Sequence, residues 1–292
     1  VVILSHNGDE KVFKDSYESD NVKVKKFENE KCEEYLKKNR LQNILIHLRA
    51  YVLNGSYDTK TVDDFRKIFI GQKRWTKTDG YGGWIKGLLW ESASWLLKNN
   101  KMIRKLLIKF ETIFFSPLFH KDLFQKYSPD LVVVTALCGF KYNELFAREA
   151  KKYNVPVCCV VLSWDNTTGM GMPGYDPDYV IAWTDNMKKE LINLNDIDYK
   201  KIFVGGVAHF DSYYHNNNTL SKEILFAKLG LDLNKKTIFY ATKSPKRFPW
   251  GPEIVADLAK AIKNGDINVN SQILVRIHPL HYRSNNGKLM FQ

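Results

Sequence analysis

Short apolar segments alternate with longer amphipathic ones along most of this chain. The apolar segments are rich in Val and Ile and are nearly continuous, without regular polar interruptions. They occupy positions 1–4, 22–25, 44–47, 131–135, 155–162, 179–183, 202–204, 237–240 and 273–277. Such runs are typical of parallel strands that are buried on both faces of a sheet. We therefore predict parallel strands at these positions.

The segments between these runs show helical spacing of apolar residues. The clearest helices are predicted at 141–152, 186–193, 221–229 and 252–263. Repeated strand–helix–strand order favours an α/β fold with doubly wound, Rossmann-like sheets.

The stretch 59–127 breaks this rhythm, because it contains no convincing strand. It carries four tryptophans, and apolar residues recur at helical spacing from Trp84 to Phe115, interspersed with Lys and Arg. A basic amphipathic helix with aromatic residues can lie on an anionic membrane surface, here over 84–115. The alternative is a helical hairpin that packs on its own domain with its Lys and Arg facing solvent.

The length and a polar break divide the chain into two predicted domains. A chain of 292 residues has room for two, and the cluster Asn-Asn-Asn-Thr at 216–219 separates two patterned regions. We predict a first lobe over 1–215, with a helical insertion at about 59–127, and the beginning of a second lobe over 216–292. The second region shows only two clear strands, fewer than a complete nucleotide-binding lobe needs, so we expect that lobe to be truncated.

Composition narrows the class of protein. Hydrophobic residues make up 44% and charged residues 26%, as in globular proteins, and no apolar run is long enough to predict a transmembrane helix. The four cysteines form no C-x-x-C pair, so we expect reduced core thiols and no metal site. The net charge of +12 indicates an anionic partner, which can be a nucleic acid, a membrane surface or a substrate.

The first candidate site follows the apolar run 155–162. It reads Ser163-Trp164-Asp165-Asn166-Thr167, followed by Thr-Gly-Met-Gly. Ligands of open α/β sheets bind beyond the carboxyl ends of strands, so this polar loop is well placed for a substrate. Asp165 is a candidate general base for an acceptor hydroxyl. The structural alternative is a turn in which the side chains of Asp165 and Asn166 bond to the local backbone.

Two further loops follow predicted strands. The loop Gly-Gly-Val-Ala-His-Phe-Asp after 202–204 places His209 and Asp211 near the predicted domain boundary, where they border a cleft or serve only structure. The loop after 237–240 contains Thr242, Lys243 and Ser244, which suit phosphate oxygens, although no P-loop pattern is present. A solvated basic loop is the alternative.

The last candidate site ends the run Gln-Ile-Leu-Val-Arg-Ile-His-Pro. Arg276 and His278 alternate along a strand that we expect to be buried, and burial of these groups is costly unless they meet a partner such as an anionic ligand. A capped strand with an edge-facing Arg276 is the structural alternative.

In their order, these motifs resemble those of GT-B transferases. The sequences are SWDNTTGMG, DYVIAWTDNMKKEL, KIFVGGVAHFDSYY, KKTIFYATKSP and ILVRIHP, and they span about 130–280. The chain looks most similar to bacterial surface-carbohydrate proteins related to CDP-glycerol glycerophosphotransferases, such as those that build capsules and lipopolysaccharide. It is more distantly similar to the UDP-N-acetylglucosamine 2-epimerases. The His-Gly motif of the glycerophosphotransferases is absent.

The resemblance implies a two-lobed enzyme that uses a nucleotide-activated sugar or polyol phosphate. It implies that the first lobe holds the acceptor, which we expect to be a glycan or a lipid-linked glycan. The candidate residues there are Ser163, Trp164, Asn166, Thr167, His209 and Asp211, and Asp165 is the candidate base by its position alone. The resemblance also implies that Arg276, His278, Thr242, Lys243 and Ser244 bind the donor phosphates, His278 with a catalytic role. No D-x-D motif stands out, so we expect no metal or other cofactor.

Reduced core thiols indicate a cytoplasmic protein, which the basic helices would place at the inner face of the membrane. Two other functions stay open. One is a sugar-nucleotide epimerase of the same architecture, and the other is a non-enzymatic nucleic-acid-binding protein. No recognisable nucleic-acid-binding motif supports the second, so we expect no nucleic acid partner.

Overall fold

A computed structural model describes residues 1–5, 10–57, 59–215, 220–245 and 248–279. The chain forms two compact units, Val1–Phe210 and Asp211–Gln292, called here the first and the second unit. Every paired strand in the described residues is parallel. The predicted α/β class with parallel sheets is therefore confirmed.

Eight strands and thirteen α-helices are present in the described residues. The strands are β1 (Val2–Ser5), β2 (Lys23–Lys26), β3 (Val132–Val134), β4 (Val157–Val160), β5 (Tyr179–Ala182), β6 (Ile202–Val204), β7 (Lys236–Ala241) and β8 (Ser271–Arg276). The helices before β3 are α1 (Glu10–Tyr17), α2 (Asn29–Lys38), α3 (Arg40–Ala50), α4 (Lys60–Gln72), α5 (Tyr81–Asn99), α6 (Lys101–Phe114) and α7 (Lys121–Tyr127). Those after β3 are α8 (Lys141–Lys152), α9 (Asn166–Gly169), α10 (Asp185–Asn195), α11 (Ser212–His215), α12 (Lys222–Leu229) and α13 (Gly251–Asn264).

The main sheet of the first unit has the strand order β3-β4-β5-β6, and β1 and β2 form a separate pair. Right-handed crossovers between sequential strands put successive helices on the same face, so α8 and α10 share one face. Strand residues on that face are buried in the main core with Ala147 and Leu191. On the other face Val133, Tyr179 and Phe203 are exposed. Cys158 of β4 is buried on that second face, so the prediction that the strands are buried on both faces holds for β4 and is wrong for β3, β5 and β6.

The predicted strand at 44–47 is also wrong, because these residues lie within α3. The apolar residues Leu41, Ile44, Leu45 and Leu48 are spaced three and four apart, which is the helical period. No Gly or Pro interrupts the segment from 40 to 50. A short apolar run inside a longer uninterrupted segment is therefore better assigned to a helix.

The stretch 59–127 contains no strand among its described residues, as predicted. Helices α5 and α6 form a hairpin that packs against the first unit through Trp90, Leu97 and Leu107, in a cluster that also contains Val52 and Met172. The side chain of Arg104 is buried and donates to Asp196 from Nε at 2.6 Å and from Nη2 at 3.1 Å. These contacts anchor the hairpin to its own unit.

A buried polar network connects α3, α6 and α8. Glu111 accepts from Arg49 Nε at 2.6 Å, from Gln42 Nε2 at 2.9 Å and from Arg148 Nη1 at 2.9 Å. Arg49 also donates to Glu144 at 2.7 Å. Two arginines and two glutamates thus balance each other away from water, which burial of charge requires.

Two glycines lie against this network. Gly171 has φ +72, and a Cβ atom there would lie 2.2 Å from the backbone oxygen of Arg49. A Cβ atom on Gly174 would lie 2.3 Å from Glu144 Oε2 and 2.7 Å from Arg49 Nη1. A side chain at 171 would meet the backbone of α3, and one at 174 would meet the buried side chains of Glu144 on α8 and Arg49 on α3.

All four cysteines are buried and free, as expected for core thiols. Burial raises the pKa of Cys159 to about 12, so this thiol stays protonated. No described helix combines the length and the apolar character that crossing a bilayer requires.

The second unit contains the parallel pair β7 and β8 with α12 and α13. Its strands are only partly buried, and Arg276 is exposed at the end of β8. The expectation of a buried arginine is therefore wrong, since the described residues supply only one strand pair and two helices of eight residues or more to cover these side chains.

Candidate functional site

The loop after β4 is held by its own side chains. Ser163 Oγ donates to Asp165 Oδ1 at 2.6 Å, and Ser163 N donates to Asn166 Oδ1 at 3.0 Å. Asn166 and Thr167 are buried, and the Thr167 hydroxyl donates to Glu190 of α10. Trp164 is 72% exposed at the tip of the loop. The Asn166 side chain thus bonds to the local backbone, as the structural alternative describes, while Asp165 keeps a partly exposed carboxylate.

A small aromatic cluster lies at the same edge of the sheet, beyond β5. The Trp183 indole N–H donates to the Val161 carbonyl at 2.6 Å. The Trp183 ring contacts the His209 ring, with centroids 5.4 Å apart, and His209 packs on Phe210 at 4.4 Å. The exposed His209 thus lies close to the segment that leads into the Ser163 loop, whereas Asp211 is the first residue of the second unit.

A pocket of about 370 Å³ lies at this carboxyl edge, between α3 and the start of α8. Its lining residues are Ile46, His47, Arg49, Ala50, Gly139, Phe140, Lys141, Tyr142, Asn143, Glu144, Met170 and Met172. Met170 belongs to the loop that carries Asp165, so the pocket adjoins that loop. The first turn of α8 lines the pocket without a side-chain cap, and helix N-termini favour electron-rich ligand atoms.

The sequence pattern does not predict this pocket or its histidine. His47 belongs to the run predicted as a strand, but it lies on α3, with its ring 5.5 Å from that of Phe69. Burial lowers the pKa of His47, and the charges of Lys73 and Lys141 lower it further. The imidazole is therefore neutral at pH 7 and able to accept a proton. The sequence feature that points to this pocket is Gly139, a glycine between β3 and α8 that has φ +79.

The second unit brings the ends of β7 and β8 together. Thr242 N donates to the Arg276 carbonyl at 3.0 Å, and His278 N donates to Thr242 Oγ1 at 2.8 Å. These bonds continue the strand pairing by one step and fix the two loops side by side. The sequence motifs at 242 and 278, which are 36 positions apart, thus form one surface.

Two positively charged side chains lie at this surface. Lys243 and Arg276 are exposed, and the Lys243 ammonium lies 5.7 Å from the ring centroid of Phe248. Ser244 accepts the Phe248 N–H at its backbone oxygen and closes the loop. Exposed ammonium and guanidinium groups beside backbone loops can bind phosphate with charge-assisted hydrogen bonds.

The predicted site residues therefore form two groups, one on each unit. Ser163, Trp164, Asp165, Asn166, Thr167 and His209 lie at the carboxyl edge of the main sheet, and Thr242, Lys243, Ser244, Arg276 and His278 lie at the ends of β7 and β8. Among the described residues no three His, Cys, Asp or Glu side chains are grouped to hold a metal ion.

Neither a protein-family profile nor a curated protein matches the sequence of this chain. Several solved structures are similar in fold. The UDP-GlcNAc 2-epimerase of Methanocaldococcus jannaschii is 20% identical, with a TM-score of 0.40, over 59% of this chain and 55% of that protein. The enzyme of Neisseria meningitidis bound to UDP-GlcNAc is 12% identical, with a TM-score of 0.39, over 96% of this chain and 66% of that protein.

A Staphylococcus aureus structure, MnaA with UDP, is 16% identical, with a TM-score of 0.36, over 55% of this chain and 43% of that protein. The chain thus spans between about two fifths and two thirds of the length of these three structures. Identities and TM-scores this low do not support transfer of an activity.

Proposed function

We propose that this chain is part of an enzyme that binds a nucleotide-activated sugar. The hydrogen-bonded pair of strand ends in the second unit supports this proposal most directly. The Thr242 hydroxyl accepts the His278 N–H, and this bond holds the loops that carry Lys243 and Arg276 next to each other. Ligands of open α/β sheets bind beyond the carboxyl ends of parallel strands, which is where both loops lie.

A diphosphate suits the chemistry of these loops. Its oxygens carry negative charge, and the loops offer an ammonium group, a guanidinium group and the imidazole of His278. Positive groups at this place would also stabilise charge that builds on a leaving phosphate. We assign Lys243, Arg276 and His278 to the diphosphate, with Thr242 and Ser244 as the residues that shape the loop.

The pocket of the first unit suits a hydroxyl-bearing group, such as a sugar ring. It combines the apolar Met170 and Met172 with the polar Asn143 and the neutral His47. Apolar walls with a few polar groups are common in small-molecule sites. His47 inside the pocket and Asp165 in the adjoining loop are two candidate proton acceptors.

Two reactions fit such an enzyme. The first reaction to test is epimerisation of the sugar, the reaction that gives the solved structures above their name. It requires no acceptor. Transfer of the sugar or of a polyol phosphate to an acceptor hydroxyl is the second candidate. The pocket beside His47 favours it, because a bound hydroxyl there would have a base close by.

A binding screen tests the proposed function. The full-length protein is heated with UDP, CDP, GDP, CMP or UDP-GlcNAc, and its melting temperature is recorded. A ligand at a hundred times its Kd stabilises the folded state by about 2.7 kcal/mol, a rise of about 5 °C for a protein of this size. We expect one nucleotide class to give this shift. No shift with any nucleotide at millimolar concentration would contradict the proposal.

Incubation of the full-length protein with the nucleotide sugar that binds then separates the two reactions. Product analysis by chromatography without any acceptor should show an epimerised nucleotide sugar if the enzyme is an epimerase, or an epimerised free sugar and free nucleotide if water also cleaves the sugar–phosphate bond. A transferase should leave the nucleotide sugar intact until an acceptor with a free hydroxyl is added.

Removing either exposed cation of the second unit should weaken nucleotide binding. We expect Lys243→Gln and Arg276→Gln each to raise the nucleotide Kd by about 10- to 100-fold, because a hydrogen bond to a charged group contributes about 1.5–3 kcal/mol. Isothermal titration measures the change. Both side chains are exposed, so the melting temperature without ligand should stay constant.

Three further variants complete this test, and two of them are controls. Lys228→Gln removes another exposed lysine of the same unit and should leave the Kd unchanged. Thr242→Val removes the hydroxyl that accepts the His278 N–H and should weaken nucleotide binding. Thr242→Ser keeps this hydroxyl and should bind the nucleotide as tightly as the wild-type protein does. Equal losses for Lys228→Gln and Lys243→Gln would mean that only net charge matters.

Asp165→Asn should reduce turnover by about 100-fold or more while nucleotide affinity stays constant, since general bases contribute about 10²–10⁴-fold. The amide oxygen of the substituted side chain can still accept the Ser163 hydroxyl, so the loop keeps its hydrogen bond. Steady-state kinetics and titration measure the two quantities. Asp185→Asn, at the start of α10, serves as the control. Unchanged turnover in Asp165→Asn together with loss in His47→Gln would assign the base to His47.

A further inference from the structure

The outward side of the α5–α6 hairpin is apolar. Leu88, Leu89 and Trp95 of α5 are exposed, as are Leu106 and Phe114 of α6, with exposed fractions between 47% and 66%. The surface formed by these five residues and Phe110 is called here the apolar face. Surface helices normally turn polar residues outward, so large aromatic and aliphatic side chains in these positions are unusual.

The apolar face is continuous across both helices. A shallow groove between them is lined by Leu96 of α5 and by Leu106 and Phe110 of α6, so the exposed side chains of the two helices adjoin. The opposite side of the hairpin is buried, because Trp90 and Leu97 pack against the rest of the first unit. Of the two predictions for this region, the hairpin on its own domain is correct for the inner side, but the outer side is not a purely polar surface.

Lysines border the apolar face. Lys101, Lys105 and Lys109 follow each other at intervals of four along α6 and form one strip, and each is exposed. The Lys101 ammonium lies 3.9 Å from Asp196 Oδ1, so the test of this strip uses Lys105 and Lys109. The two helices contain only two acidic residues. Glu91 is paired with Arg66 at 3.0 Å, and Glu111 is buried in the polar network. The outward side of the hairpin is therefore positive and apolar at the same time.

We propose that the apolar face and its lysine strip dock this protein in the plane of a lipid bilayer that contains anionic lipids. The apolar side chains of α5 and α6 would enter the boundary between headgroups and acyl chains, where Trp and other amphipathic rings are favoured. The lysine strip would lie at the level of the lipid phosphates. This proposal does not depend on the proposed enzymatic function.

The charge pattern favours a bilayer over a second copy of this chain. In a symmetric dimer this face would meet the same face of the partner, in which Glu91 is already paired with Arg66 and Glu111 is buried with Arg148. An anionic lipid surface neutralises the lysines of the strip at about 1 kcal/mol each, which is about fivefold in partitioning. A lipid surface offers acyl chains to the apolar part of the face and anionic headgroups to its lysines.

Vesicle flotation with the full-length protein tests the proposal. Vesicles of phosphatidylcholine alone are compared with vesicles that also contain phosphatidylglycerol. We expect binding to the anionic vesicles, and we expect added salt to weaken it. The double variant Lys105→Gln/Lys109→Gln should reduce partitioning by about 25-fold. Lys121→Gln/Lys189→Gln removes two other exposed lysines and should have a much smaller effect.

A second pair of variants tests the apolar part. Trp95→Ser/Phe114→Ser should reduce partitioning by about tenfold or more, because each ring leaves the interface. Trp250→Ser/Phe239→Ser removes two rings of similar exposure from the second unit and should leave partitioning unchanged. Nucleotide binding should be the same in the three variants that leave the second unit intact.

Three outcomes would overturn the proposal. The first is that the protein binds neither kind of vesicle. The second is that the control pairs weaken binding as much as the test pairs. The third is that ultracentrifugation shows a dimer without vesicles that Trp95→Ser/Phe114→Ser dissociates, which would assign the face to a second copy of the chain.

Discussion

Glu111→Ala should lower the free energy of unfolding by about 3–5 kcal/mol, because removal of one member of a buried ion pair leaves its partners charged and unpaired. Glu111 accepts hydrogen bonds from Arg49, Arg148 and Gln42, and all four side chains are buried. Without the carboxylate, Arg148 keeps only Gln42 as a described partner, at 3.3 Å. Urea denaturation followed by circular dichroism measures the loss.

Glu91→Ala is the matched control on the same hairpin. Glu91 is also paired with an arginine, Arg66 at 3.0 Å, but its side chain is 43% exposed. Exposed pairs contribute at most about 1 kcal/mol, so we expect a small effect. If Glu111→Ala cost no more than Glu91→Ala, the network would not stabilise the fold as the burial indicates.

The pH dependence of this network follows from the pKa of Glu111. Burial alone raises the pKa of this carboxyl, but Arg49 and Arg148 outweigh burial and hold it below its usual 4.5. A lowered pKa in the folded state means that the contribution is complete above the pKa of the unfolded chain. It is lost as the pH falls below 4.5 and through the folded-state pKa. The wild-type protein should therefore lose more stability below pH 4.5 than Glu111→Ala does.

Gly171→Ala should destabilise the protein by a similar amount, about 3–5 kcal/mol. Its φ of +72 disfavours any other residue, and its Cβ atom would lie 2.2 Å from the Arg49 carbonyl oxygen. That oxygen already accepts the Met172 N–H at 3.1 Å. Because the clash is with the backbone of α3, it cannot be relieved by rotation of a side chain. Thermal and urea unfolding both measure the effect.

Two glycine variants separate the causes of this loss. Gly206→Ala has a similar φ of +79 but open space around it, so it reports the cost of the backbone conformation alone, about 1–3 kcal/mol. Gly71→Ala lies in α4 with no neighbour within 4 Å of its Cβ and should stabilise the protein by a few tenths of a kcal/mol or more. A loss in Gly171→Ala no larger than in Gly206→Ala would remove the clash as a cause.

The positions of strands and helices could be predicted where turn residues flank the patterned segment on both sides. β6 and α8 begin and end where the pattern indicates, since each has a clear change of periodicity at both ends. Burial on both faces was not predictable from the runs. Val133 and Phe203 are apolar yet exposed, because the order of the strands, which the sequence does not reveal, decides where the helices lie.

The candidate site was predictable only in part. The loop after β4 and the loops after β7 and β8 could be found because polar residues follow apolar runs. The pocket beside His47 could not, because α3 is distant in sequence from the loops that close it. The same holds for Arg104, whose partner Asp196 is 92 positions away, so that a residue expected at the solvent-facing side is buried.

The close approach of Gly171 and Gly174 to α3 has a consequence for the ancestry of this chain. Gly171 meets the backbone of α3 and has to stay a glycine whatever residue stands at position 49. Gly174 meets the side chains of Arg49 and Glu144 and can acquire a side chain only if one of them changes, so mutations at Gly174, Arg49 and Glu144 are coupled. Substitutions at Gly174, Arg49 and Glu144 should therefore occur together or not at all. Two glycines three positions apart, with a distant Arg and Glu, form a fingerprint by which diverged descendants of the same ancestor can be told from chance look-alikes.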